Sequence, residues 1–339
     1  MQYVPVIDST QRPLMPTTPK RAERWIKSGK ATPFFRKGIF CVRLNVAPSS
    51  RNTQPIAVGI DPGSKREGYT VKSQAHTYLN QQFHAVDWVK DAEESSTNAR
   101  RARRNRKTPY RQNCKNRKRG GIPPSTKARW QFKVRVVKVY AAIFPISHIG
   151  IEDIKATTKK GCRKWNSSFS PLEVGKQWCY SELRQIADLT TSDGYEDTYQ
   201  TRQALGLKKS KAKLSNSFSA HCVDSWVLAY LLVGGDPAPD NTVVMECKPI
   251  RLHRRQLHVF NPGVNGYRRP YGGSISQGLK RGGIVKHPKY GFCYVGGEDI
   301  HKERISLHNL GSGKRLTQSA KPQDCKFLAY NSWRTVVGG

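Results

Sequence analysis

Residues 56–60, reading IAVGI, are apolar without interruption, and the chain then meets Asp61, Pro62 and Gly63. A short unbroken apolar run closed by turn residues predicts a buried strand with Asp61 at its end. Residues 68–72 are predicted as its hairpin partner and residues 82–89 as a third strand. The period then becomes helical: Val134, Val137, Ala141 and Phe144 form one apolar stripe, and Ser125 and Pro145 bound a helix predicted over 125–144. HIGIEDI, residues 148–154, returns to a core strand with Glu152 near its carboxyl end. A further helix is predicted over 177–189. The last helix, SAHCVDSWVLAYLLV at 219–233, is apolar all round in its second half and is therefore buried, with Ser219 as N-cap and Gly234-Gly235 as stop.

The two ends of the chain have a different texture. Residues 3–7 are strand-like, Pro13-Leu14-Met15-Pro16 is predicted as a stiff turn, and Thr18-Pro19 opens a short basic helix that Gly29 ends. Residues 34–36 and 39–44 are predicted as a hairpin, and 47–54 as a linker. From Glu246 onward, glycine pairs recur at hairpin spacing, which predicts one or two small β modules.

Charge narrows the function. Lys+Arg number 59 and Asp+Glu 24, a formal net charge of +35, far more than solubility needs and indicative of a polyanionic partner, nucleic acid first. A membrane surface ranks low, because no bulky amphipathic basic helix is present and the longest apolar run is too short to span a bilayer. Eight scattered cysteines contain no Cys-x-x-Cys pair, which argues against a zinc knuckle or ribbon, and reduced thiols in a cytoplasmic protein are expected. The cations concentrate at residues 100–119, RRARRNRKTPYRQNCKNRKR, with 11 Lys/Arg and no acid. Arg100, Arg103, Arg104, Lys107 and Arg111 fall at helical spacing, with Arg101 and Arg106 beside them, and Pro109 interrupts. Such a helix repels itself unless phosphates lie alongside; the alternative is a disordered basic arm.

Against this background the acids stand out. Asp61 and Glu152 end predicted strands, and His221 and Asp224 are three apart in the first turn of a buried helix. Taken singly, each has an ordinary reading: Asp61 caps a turn, Glu152 pairs with an arginine, His221 is a satisfied core histidine. As a set they suit Mg²⁺ or Mn²⁺, since carboxylates are hard oxygen ligands. Three of them hold two ions about 3.5–4 Å apart in the clamp used for phosphodiester hydrolysis, with His221 taking or positioning the proton of the attacking water.

GIDPGS at 59–64, the arginine run, GIEDI at 150–154 and AHCVD at 220–224 resemble the split RuvC domain of the transposon-encoded, RNA-guided nucleases. PLMP at 13–16 resembles the signature of the IscB/IsrB group. Glu152 and His221 are 69 positions apart, and the residues between them hold no histidine and no His-Asn pair. The chain therefore looks like the IsrB type, which lacks an HNH domain. The resemblance implies an α/β, RNase H-like (RuvC) core split by insertions, an arginine-rich bridge helix and small basic β-rich modules at both ends. It divides the chain into a PLMP module (1–53), RuvC-I (54–92), bridge helix (93–121), RuvC-II (122–190), RuvC-III (191–245) and β modules that bind RNA and the flanking motif (246–339).

By this resemblance Asp61, Glu152, His221 and Asp224 form a metal-dependent DNA endonuclease centre, with Asp61, Glu152 and Asp224 as ligands, that nicks the non-target strand. The implied partners are a guide (omega) RNA and double-stranded target DNA with a short flanking motif, bound by one protein copy, in a prokaryotic cytoplasm and on the nucleoid when on target. Arg251, Arg254, Arg255, Arg268 and Arg269, with the basic run, are the expected RNA contacts. Two other readings share the composition: an unguided, structure-selective RuvC/RNase H-like nuclease, which needs the same acids, and a catalytically silent RNA-binding protein, which does not.

Overall fold

The computed structural model describes residues 3–105, 122–154, 170–212, 214–249, 260–261, 266–267, 275–330 and 333–337. It comprises two compact units, Thr53–Thr242 and, separately, Met1–Asn52 with Val243–Gly339.

The discontinuous unit begins with β1 (Val4–Ile7), β2 (Pro13–Thr17), α1 (Pro19–Lys27), β3 (Ala31–Arg36) and β4 (Ile39–Leu44), in the sheet order β2-β1-β4-β3. The PLMP segment, expected as a turn, is most of strand β2. A proline lacks the N–H that a central strand needs, but β2 is an edge strand, and Leu14 reaches the core formed by Val4, Val6, Ala22 and Val42. Thr18 and Pro19 stand at N-cap and first turn as predicted, although Thr18 makes no side-chain cap bond. The β3–β4 hairpin is wider than predicted and turns through Lys37 and Gly38, at φ 51° and 87°, the left-handed pair that matches strand twist. In the carboxyl-terminal part, five antiparallel strands cover Val285, Cys293, Val295, Ile305 and Leu307, in the order Arg315–Ala320, Arg304–Asn309, Gly291–Asp299, Gly283–His287 and Lys326–Tyr330. Val244–Pro249 pairs antiparallel with Trp333–Val337. The β texture expected of this region is therefore present.

The Thr53–Thr242 unit carries β5 (Ile56–Asp61), β6 (Arg66–Ser73), β7 (Thr77–His84), α2 (Trp88–Asn105), α3 (Pro124–Ala141), β8 (His148–Glu152), α4 (Pro171–Arg184), β9 (Asp188–Ser192), α5 (Gln200–Ala204) and α6 (Val223–Val233). Its strands run in the order β7-β6-β5-β8-β9. β6 is antiparallel to both neighbours, and β5, β8 and β9 are mutually parallel. That order and those directions are the RNase H-like topology.

Several elements differ from expectation. The third strand lies at Thr77–His84, not 82–89, because its buried Asn80, Gln81 and Gln82 do not read as core. Each has a dedicated partner: Asn80 Oδ1 accepts from Thr70, Gln81 Oε1 accepts from the Tyr140 hydroxyl at 2.6 Å, and Gln82 donates to the Ser215 carbonyl. The helix after it begins at Trp88, so the basic residues 100–105 form its last turns. Pro123, not Ser125, caps α3, and Pro124 sits in its first turn. α4 opens earlier than predicted, with the Ser170 hydroxyl accepting the Glu173 amide at 3.1 Å. The residues expected to close it instead enter β9, an edge strand too polar to signal itself. The final helix opens as a π turn, Phe218–Cys222, after Ser217 rather than at Ser219.

The two faces of this sheet pack differently. On one, Tyr69 and Phe83 meet Tyr140 and Phe132 of α3 edge to face. On the other, α6 lies directly on glycine. A Cβ at Gly59 would stand 1.7 Å from the Ser225 carbonyl oxygen, one at Gly150 2.9 Å from that of Leu228, and one at Gly68 2.4 Å from that of His221. Gly59 and Gly150 are register partners on β5 and β8. The absence of side chains along this lane lets the helix backbone touch the sheet. Thr70 anchors the contact, its hydroxyl 2.9 Å from that of Ser225.

Candidate metal centre

The register of β5 and β8 pairs Val58 with Ile149, Gly59 with Gly150 and Ile60 with Ile151. Asp61 and Glu152 are the next residues on two parallel neighbours, so their side chains leave the same sheet edge together. Asp224 arrives from above, in the first turn of α6, which the glycine lane holds against those strands. One carboxylate oxygen from each of Asp61, Glu152 and Asp224 lies within 4.8 Å of the others, and Asp61 and Asp224 are buried. His221, in the π turn before α6, brings Nδ1 to 3.2 Å from Asp61 Oδ2. A carboxylate only accepts, so the ring donates from Nδ1, and when neutral carries its lone pair on Nε2. The four residues singled out in sequence thus share one site.

Two cations not foreseen in the sequence complete it. Arg202 of α5 donates to Asp224 Oδ1, and Lys209 donates to Asp224 Oδ2. Arg202 is buried, and Lys209 keeps 35% of its side chain exposed. The signal that would have found them is indirect: a buried acid needs a counter-charge, and the cations that precede Asp224 in the chain are in RQALGLKKSKAK.

The carboxylates act on one another. Burial, then the charges of Asp61 and Asp224, pushes the Glu152 carboxyl up from 4.5 to about 7; Lys209 opposes the shift and Asp193 adds to it. Burial works against the Lys209 charge, but Asp61, Asp224 and Glu152 outweigh it and raise its pKa. Glu152 has so little room that a Cβ at Gly194, the first residue of the π turn Gly194–Tyr199, would stand 2.7 Å from its Oε1.

The donor set fits a divalent cation. Three hard oxygen ligands from three elements lie close enough to share an ion, and once Glu152 gives up its proton their summed charge exceeds that of Arg202 and Lys209. Lys209 must yield part of its hold on Asp224 when an ion enters.

The expected nucleic-acid contacts are less fully placed. Arg100 and Arg101 are exposed on α2, and Arg103 and Arg104 belong to the same helix. Arg106, Lys107, Arg111, Arg251, Arg254, Arg255, Arg268 and Arg269 lie outside the described residues. No helix among the described residues is long and apolar enough to cross a membrane.

The sequence profile of the RRXRR protein family matches residues 4–164, just under half of the chain. The motif that gives that family its name stands at residues 100–104 as RRARR. No curated protein matches the sequence. Among solved structures, the chain is similar to Thermus thermophilus RuvC in complex with a Holliday junction substrate, at 14% identity over 53% of this chain and 97% of that one, with a TM-score of 0.27. It is also similar to the yeast mitochondrial Holliday junction resolvase Ydc2, at 12% identity over 53% and 78%, with a TM-score of 0.27. The strand order, and not these low-scoring overlays, carries the fold.

Proposed function

We propose that this chain is a metal-dependent DNA nuclease of the RuvC type, directed by a guide RNA, that nicks one strand of a target duplex. The observation that supports the reading best is the convergence of Asp61, Glu152 and Asp224 at one edge of an RNase H-like sheet, in a chain of net charge +35. Asp61, Glu152 and Asp224 would hold the ions. Bound there, Mg²⁺ or Mn²⁺ acidifies water and offsets charge on the leaving oxygen.

The chain's own groups do the rest. Asp61 fixes the His221 tautomer, and Nε2 then takes the proton of the attacking water. A bond would form from that water oxygen to phosphorus, the bond from phosphorus to the 3′ oxygen would break, and the leaving oxygen would take a proton from solvent, to which His221 later returns its own. Arg202 holds Asp224 in its orientation from the side facing away from Lys209's oxygen. Lys209, part exposed at the rim, is placed to meet a non-bridging phosphate oxygen once it lets go of Asp224.

The guide is supported by sequence. The PLMP segment, the RRARR run and the ordered acids resemble the IscB/IsrB group, and the RRXRR match covers the first two of these. In this reading Arg100, Arg101, Arg103 and Arg104 track an RNA or heteroduplex backbone, base pairing supplies sequence, and one centre cuts one strand. The test is to sequence the RNA that co-purifies with the protein, reprogram its guide segment and add a supercoiled plasmid carrying the matching target. Open circles that depend on the guide and on Asp61 support the proposal. Guide-independent cutting of a branched duplex removes the RNA from it, and efficient linearisation removes the single centre.

A further inference from the structure

Beside the carboxylates stands a small aromatic column that the chemistry above does not use. Tyr195 and Tyr199, four apart on the Gly194–Tyr199 turn, stack with centroids 5.4 Å apart and rings 9° from parallel. Arg202 joins the column, its guanidinium carbon 5.4 Å over the Tyr199 ring while its Nη1 holds Asp224. The outer ring is open, with Tyr195 68% exposed, one of the most exposed large hydrophobic side chains described. The column is therefore tied to the site at both ends of its turn. Gly194 abuts Glu152, and Arg202, three residues past Tyr199, grips Asp224.

The turn is also rigid. The Asp193 side chain accepts the amides of Tyr195 and Glu196, at 2.8 and 3.2 Å, while its own amide donates to Asp197 at 2.7 Å. An exposed tyrosine held this firmly in a stack, with one face left to solvent, costs little further entropy to cover. Glu196 and Asp197 on the same turn disfavour a phosphate there, so what the turn offers a strand is a π face. Phosphates have cations a short way along the chain, at Lys208, Lys209 and Lys211.

We infer that Tyr195 is a stacking platform for a nucleobase of the single DNA strand led to the carboxylates, adding the next layer to the Arg202–Tyr199–Tyr195 column. The inference deepens the nuclease reading and rests on it for the identity of the ligand. The platform supplies position without sequence choice, since every base has a π face. A base clamped beside Glu152 and Asp224 limits how far the neighbouring phosphate can slide past them, so Tyr195 is a positioning residue, not a catalytic one.

The test uses the full-length protein as purified, with Ca²⁺ replacing Mg²⁺ so that nothing is cut. The probe is a short single-stranded oligonucleotide carrying 2-aminopurine at successive positions. Raised salt suppresses purely electrostatic binding. Stacking quenches 2-aminopurine, so quenching at one or two adjacent positions is expected, retained in Tyr195→Phe and lost in Tyr195→Ala. Tyr195→Ala should also weaken binding about tenfold, which is about 1.4 kcal/mol. Uniform quenching along the strand, or equal loss in the Phe and Ala variants, overturns the platform. Cleavage with Mg²⁺ is read separately. Protein that cuts, but with Tyr195→Ala indistinguishable from the parent in quenching and affinity, fails this inference alone. Protein that quenches at one position but never cuts fails the nuclease reading and leaves the platform standing.

Discussion

Two clusters of buried carboxylate lie in the same unit, and they are balanced in opposite ways. On the α3 face, Glu67 is 1% exposed, and its two oxygens accept from Lys133 Nζ and from the Tyr69 hydroxyl, both at 2.7 Å. Lys133 in turn lies 4.9 Å over the Trp130 ring. One negative charge meets one positive charge, each oxygen has a donor, and nothing is left over. At the sheet edge, among the described residues, Asp61, Glu152 and Asp224 have Arg202 and Lys209, both on Asp224, with His221 on Asp61. With all three ionised the acids exceed the two cations by one charge, and in the metal-free protein the proton that Glu152 keeps up to about pH 7 takes up that surplus. A buried pair that closes on itself serves packing; a buried cluster closed only by a proton can exchange that proton for a cation.

The sharpest way to break this contrast is activity. Asp61→Ala should abolish nicking on a supercoiled target while the melting temperature stays within a few degrees of the parent. Glu67→Gln strands the Lys133 charge and should lower the melting temperature, yet the protein that stays folded should still nick. Loss of nicking in well-folded Glu67→Gln would erase the distinction. Stability separates the clusters in the other direction. Lys133→Met strands the Glu67 charge and should cost roughly 3–5 kcal/mol in denaturant unfolding, most of it regained when Glu67→Gln is added. Removing a like charge at the other site, as in Asp61→Asn, should cost far less. Gly59→Ala belongs with the severe losses, at least about 3 kcal/mol, because the methyl group meets backbone that cannot swing aside.

pH gives a finer test. The folded protein keeps a proton on Glu152 up to about pH 7, whereas the unfolded carboxyl gives it up near 4.5. The stabilising contribution is therefore fully present below 4.5 and is lost as pH rises through about 7, in metal-free protein. Divalent binding must displace the same proton, so Mn²⁺ affinity should climb over that interval and level off above it. Asp224→Asn should move the plateau to lower pH, since it takes away one of the charges that raises Glu152. The smallest effect is expected from Lys209→Gln, a roughly three- to tenfold tightening of Mn²⁺ measured by calorimetry. Weaker binding would mean that the ammonium orients Asp224 for the ion rather than competing with it.

Much of this was legible in the chain. β5, β8 and α6 announced themselves because a buried strand or helix has no way to hide its apolar run, and the acids were visible as the polar residues that such runs tolerate least. β7 was misplaced because its core-facing residues are amides satisfied by Thr70, Tyr140 and Ser215, partners far away in sequence. β9 was missed because an edge strand needs only one covered side. Arg202 and Lys209 were not identified as partners because a basic protein offers a cation almost everywhere, and only the backbone path decides which one meets Asp224. The PLMP segment, with two prolines in four residues, predicts a turn when its local chemistry is taken alone; its place at a sheet edge is set by β1 beside it.

The bare strip across β5 and β8 has one more consequence. Because α6 rests on main chain and not on side chains, the gap between helix and sheet is already at its minimum, and the spacing of the three acids is ruled by peptide against peptide. Neighbouring rotamers have no way to take up an error. Lengthening Asp224 by a single methylene to glutamate would carry its oxygens past their fellows unless the helix lifts off the glycine lane and gives up that contact, so identical charge and identical chemistry should still fail to rebuild the centre.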